Sequence, residues 1–156
     1  MRVMKRFAAV LLAALTLTSA ALADQTVHIT FTGDVTLGSE ELKRNKAVSF
    51  DTFAKEKGYD YFFANMQDMF QSDDLTVVNL EGVLSDSSAG ENKKKTYRFR
   101  GPTDFVNILT RSGIEACNLA NNHSQDFGKQ GYSATKTTLE AAGIGYFGTQ
   151  STYIFE

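Results

Sequence analysis

"TDFVNILTRSGIEACNLA" (103–120) and "GYSATKTTLEAAGIGYFG" (131–148) are two versions of one unit, and they decide the fold. In the first, Phe105, Ile108 and Leu109 recur at helical spacing, and Gly113 follows at a position where a helix ends. An apolar run with a strand pattern comes next. The second repeats the plan with Leu139 and Gly143. Leu109 to Gly113 and Leu139 to Gly143 have the same spacing, and isoleucine follows each glycine. Glycine just past a helix accepts the left-handed turn that closes it. Helix–strand units of this length imply an α/β layered fold with mainly parallel pairing.

Upstream, "TVHITFTGD" (26–34) alternates, with Val27, Ile29 and Phe31 on one face. It reads as a strand, and His28 on the other face reads as structural or surface. "LTVVNLEG" (75–82) contains a second, buried strand over 75–80. Between them, "YDYFFANMQDMFQ" (59–71) places Phe62, Phe63, Met66, Met69 and Phe70 at helical spacing, which predicts one core face. "TYRFRGP" (96–102) is a short strand that stops at Pro102, the only proline. The run Lys93, Lys94 and Lys95 before it reads as a solvated loop, with contact to a polyanion as the sharper alternative.

The chain has 156 residues and is 42% hydrophobic, enough for one globular domain. Residues 1–23 stand apart from it. Arg2, Lys5 and Arg6 precede an apolar run over 7–15, and Ala21-Leu22-Ala23 forms a small-residue cleavage site. This is the pattern of a secretory signal peptide, and its apolar run is too short to span a bilayer. Export to the periplasm, the cell surface or the medium is expected, with cleavage near Ala23. A chain starting at Asp24 loses three of 16 basic residues, leaving 13 against 18 acidic ones, a formal charge of −5. That acidity argues against a nucleic-acid partner. The single cysteine, Cys117, allows no internal disulfide and reads as a small core residue.

The chemistry concentrates where strands end, because loops at the carboxyl ends of parallel strands gather functional side chains. The first strand ends at Asp34 and the second at Asn79 and Glu81. The third ends in "LANNHSQDFG" (119–128), with Asn121, Asn122 and His123. If the strands are neighbours, two carboxylates, amide oxygens and an imidazole converge. That donor set suits Mn, Fe, Zn, Mg or Ca.

"FTGDVTLG" (31–38), "VVNLEGVL" (77–84), "YRFRGP" (97–102), "LANNHSQDFG" and "GIGYFG" (143–148) together resemble the successive motifs of the CapA family of poly-γ-glutamate capsule synthesis proteins. The family's domain is related to the calcineurin-like metallophosphoesterases. The resemblance implies a layered αββα metallophosphoesterase-like sandwich, with residues 24–156 as its N-terminal half. It also implies roles. Asp34, Glu81 and Asn122 fall at metal-ligand positions, for Mn, Fe, Zn or Mg held weakly by this portion alone. His123 falls at the position that contacts substrate or protonates a leaving group. Asp126 would orient His123, and its replacement is expected to cost about 10–100-fold, as for other groups behind a reacting residue. Where that superfamily has a D-x-H histidine, this chain has Thr36, and it has no histidine after His123.

Two functions follow from the resemblance. One is an exported metal-dependent hydrolase acting on an anionic cell-surface polymer or a phosphoester. The other is a non-catalytic subunit that binds the polymer and supports a membrane synthase. This chain on its own is expected to be inactive, with an uncovered apolar sheet face.

Overall fold

The computed structural model describes residues 26–148 together with Thr152, Ile154 and Phe155. The expected signal peptide, its cleavage point and Asp24 lie outside the described residues, as do Tyr153 and Glu156 of the closing segment. Seven strands occur among the described residues: β1 (Ile29–Thr36), β2 (Ser39–Glu40), β3 (Leu75–Glu81), β4 (Val83–Leu84), β5 (Phe99–Gly101), β6 (Ala116–Asn118) and β7 (Gly145–Phe147). The α-helices are α1 (Phe50–Lys57), α2 (Gln67–Phe70), α3 (Val106–Thr110) and α4 (Gly128–Ala141).

β1, β3, β6 and β7 form one sheet in that order, and every pairing in it is parallel. The α/β class and the parallel pairing are as the two helix–strand units require. Each unit closes in the same way. Gly113 and Gly143 sit at φ +77° and +72°. The Ile114 N–H donates to the Leu109 carbonyl at 3.3 Å, and the Ile144 N–H to that of Leu139 at 2.9 Å. This is the left-handed helix stop in which the residue after glycine reaches back five positions. It also docks each isoleucine beside its leucine, and all four are buried.

The core lies between the helices and one face of the four-stranded sheet. Phe105, Ile108, Leu109 and Leu139 from the helical side meet Val78, Leu80 and Cys117 from the strands. Burial pushes the Cys117 thiol up to about 12, so it stays a neutral core group at physiological pH. β2, β5 and β4 make a second, small sheet. At its centre Gly101 is obligatory, since a Cβ there would lie 2.1 Å from the Leu37 carbonyl oxygen.

Val27, Ile29 and Phe31 are not buried; Phe31 is 70% exposed. The helices all cover the other face of the sheet, so this face keeps only a small cluster of Leu75, Val77 and Ala116 with Phe147. One expectation about the core needs correction: 59–71 is not one helix. A 3-10 turn at Tyr59–Tyr61 and further turns precede α2, so the helical period breaks before Met66. Phe70 is buried, and Phe62 and Phe63 pack against the core, whereas Met66 and Met69 face solvent. His28 is exposed, and its backbone N–H donates to Asp74.

Candidate functional site

The strand ends do meet, and a bulge in β1 decides how. Phe31 pairs with Val77, yet Asp34, not residue 33, pairs with Asn79. One extra residue in β1 flips the side-chain alternation beyond it. Val35 thereby joins Leu80 on the helix-covered face, and Asp34 joins Asn79 on the open one. Without the bulge, the Asp34 carboxylate would face the core.

Asp34, Asn79 and Asn118 then stand in register across three strands. The Asn79 amide donates to Asp34 Oδ1 at 2.5 Å, and the Asn118 amide donates to Asn79 Oδ1 at 2.9 Å. Asn121 adds a donor to Asn79 Oδ1 at 3.2 Å and another to the Leu80 carbonyl at 2.9 Å. One pleat further on, Thr36 pairs with Glu81, and its hydroxyl donates to Glu81 Oε2 at 2.7 Å. The residue that replaces the expected histidine thus fixes the neighbouring carboxylate.

His123 comes to Glu81 from the loop after β6. The Asn121 side-chain oxygen accepts the His123 backbone N–H at 2.9 Å, and Ser124 donates to the Asn121 carbonyl at 3.0 Å. These local bonds hold the turn that the paired asparagines begin. His123 Nε2 lies 3.6 Å from Glu81 Oε1. Its Nδ1 lies 2.7 Å from Asp126 Oδ2. The ring packs edge-on to Phe99 at 4.8 Å. Asp126 is fully buried and takes two more donors, the Phe99 N–H at 2.8 Å and the Lys95 ammonium at 2.5 Å.

Glu81, His123 and Asp126 are therefore one line of contacts, and Asp34 belongs to the adjoining amide row. Asn122 is exposed; its carbonyl accepts from Lys95, and its side chain makes no hydrogen bond among the described residues. Lys95, Phe99 and Asn118 are site residues that the sequence reading did not single out, and Thr36 entered it only as the residue in place of a histidine. Lys95 corrects the expectation of a solvated run, because it turns inward while Lys93 and Lys94 stay exposed. Nothing in the sequence pattern separates it from those two neighbours.

The donor chemistry of Asp34, Glu81 and Asn122 is that of a hard divalent ion: two carboxylates and an amide oxygen. No three His, Cys, Asp or Glu side chains among the described residues gather as a metal group.

An α/β protein with an acid–amide–imidazole cluster at the carboxyl ends of its parallel strands is the class defined so far. The model of the bacterial capsule synthesis protein family PGA_cap matches residues 28–153, and the chain belongs to that family. It is 25% identical over 128 residues to the PGA biosynthesis protein CapA of Bacillus subtilis, covering 79% of this chain and 31% of that protein. A probable polyglutamine synthesis accessory protein of Mycobacterium tuberculosis is 39% identical over 72 residues, 46% of this chain and 18% of the relative. The capsule biosynthesis protein CapA of Bacillus anthracis is 27% identical over 93 residues, 58% and 23% of the two chains. The chain thus spans less than a third of the length of these curated relatives.

Proposed function

We propose that this chain is the part of an exported capsule-synthesis protein that carries His123 to an anionic cell-surface polymer, poly-γ-glutamate in the first instance. The observation that carries this reading is the line Glu81–His123–Asp126. It holds an imidazole between a buried carboxylate that orients it and a second carboxylate at the strand end. A histidine so held can pass a proton to a leaving group. Asp34, Glu81 and Asn122 would hold a divalent ion on the open side, with further donors from outside the described residues. Such an ion polarises a carbonyl or phosphoryl oxygen and activates bound water. By this chain alone the ion is held weakly.

Two observations favour a second reading, a polymer-binding accessory subunit of a membrane synthase. The Mycobacterium tuberculosis relatives carry the word accessory in their names, and Thr36 stands at the expected histidine ligand. Under either reading the protein works outside the cytoplasm, after the segment 1–23 is removed near Ala23.

The test uses the full-length protein that contains this chain. Glu81→Ala and Asn122→Ala are expected to lower bound metal, measured by elemental analysis. His123→Ala is expected to keep the metal and to lose about 100-fold or more of any polymer hydrolysis. Loss of a whole ion in the His123 variant would overturn the assignment of roles. Polymer binding without turnover in the unaltered protein would select the accessory reading.

A further inference from the structure

We propose that Lys93 and Lys94 are a docking pair for the carboxylates of an anionic polymer, held beside the His123 loop by the bonds on either side of them. The proposal rests on the polymer reading above and names the side chains that grip the polymer next to His123. Segment 92–95 is pinned to the His123 loop at both ends. The Asn92 N–H donates to the Asp126 carbonyl at 2.8 Å. The Lys95 ammonium donates to Asp126 Oδ1 at 2.5 Å and to the Asn122 carbonyl. Lys93 and Lys94 are the two residues between these pins. The segment is braced from behind as well. The Lys93 N–H donates to the Glu91 carbonyl at 3.1 Å, and the Lys94 N–H to the Asn92 side-chain oxygen at 3.2 Å. Buried Arg98 donates through Nε to Glu91 at 2.9 Å. Gly90, at φ +81°, lies so close to the start of α4 that a Cβ there would sit 2.5 Å from the Phe127 carbonyl oxygen.

The two charges are open to a ligand. Lys93 and Lys94 are exposed, and neither joins an ion pair among the described residues. The carboxylates that brace the segment already have cations: Asp126 has Lys95, and Glu91 has Arg98. Two successive ammonium groups are thus uncompensated, in a chain with 18 acidic residues against 16 basic ones. An ammonium is a compact charge on a flexible stem, so it meets a carboxylate without a fixed approach angle. Poly-γ-glutamate carries one carboxylate on every residue and can engage both side chains together. Once one contact forms, the second is made within the same complex, which strengthens two weak contacts. A neutral polymer gains nothing from them. The run of three lysines is therefore divided: Lys95 anchors the segment, and Lys93 and Lys94 face the ligand.

The experiment measures binding of a fluorescent poly-γ-glutamate oligomer to the full-length protein that contains this chain, by anisotropy at low and at physiological salt. Lys93→Gln/Lys94→Gln should raise Kd about 5-fold at low salt, as expected for two exposed charge contacts. Lys93→Glu/Lys94→Glu should raise it further, and both differences should shrink as salt is added. Lys55→Gln/Lys57→Gln, on α1, makes the same change in net charge and should leave Kd as in the unaltered protein. All four lysines are exposed, so the variants should keep their melting temperatures. An unchanged Kd in the Lys93 and Lys94 variants overturns the proposal and leaves the polymer reading standing. An equal loss in the α1 pair overturns it too, because net charge alone would then explain binding. Polyphosphate held as tightly through the same two lysines overturns the assignment to carboxylates. No binding of the oligomer by the unaltered protein overturns the polymer reading, and this proposal with it.

Discussion

Asp126→Ala is expected to destabilise the protein by about 3 kcal/mol. The carboxylate is fully buried and joins three donors from two stretches of the chain. Removing it leaves the Phe99 N–H and the His123 ring without their partner inside the fold. Lys95 contributes less to the loss, because about a third of its side chain is exposed and water can take up the ammonium. For a domain of this size the melting temperature should fall by roughly 10 °C, read by circular dichroism. Asp126→Asn keeps the volume and one acceptor and should cost about half as much. A melting temperature unchanged in Asp126→Ala would mean that residues 91–99 do not depend on this carboxylate.

Phe105→Ala should have a comparable or larger effect on stability, about 3–5 kcal/mol. Phe105 is fully buried at the entry to α3, and its ring meets Phe50 at 5.6 Å and Tyr59 at 5.9 Å, both edge-on. It joins α1, the turn after it and the first helix–strand unit, so the cavity left behind has walls on several elements that cannot all collapse inward. Urea unfolding should show the loss as a lower midpoint. A change of under 1 kcal/mol would show that the core is not organised around this ring.

The helix–strand units were legible because two independent signals coincide in them: apolar spacing, and a glycine at the left-handed stop. The polar strand ends were legible for a similar reason, since topology alone brings the carboxyl ends of parallel neighbours together. What the sequence conceals is set by geometry that no local pattern records. The bulge in β1 turns Asp34 to the open face, and alternation read straight through Thr32 and Gly33 assigns the wrong side. The exposed face around Phe31 looks like any half-buried strand, because a sequence does not say which faces the helices will cover. The Met66 and Met69 stripe failed where turns interrupt the helical period. Lys95 was hidden in a run of three lysines, and its role comes from bonds to Asp126, 31 positions away.

The most direct test of the account is the amount of polymer on cells whose full-length protein, containing this chain, carries His123→Ala. Exported protein must be matched to the unaltered level by immunoblot, with mass spectrometry confirming an N-terminus at Asp24. A fall in surface polymer or in its processing by about 10-fold or more is the predicted result. Unchanged polymer at equal protein level would contradict a working role for the Glu81–His123–Asp126 line.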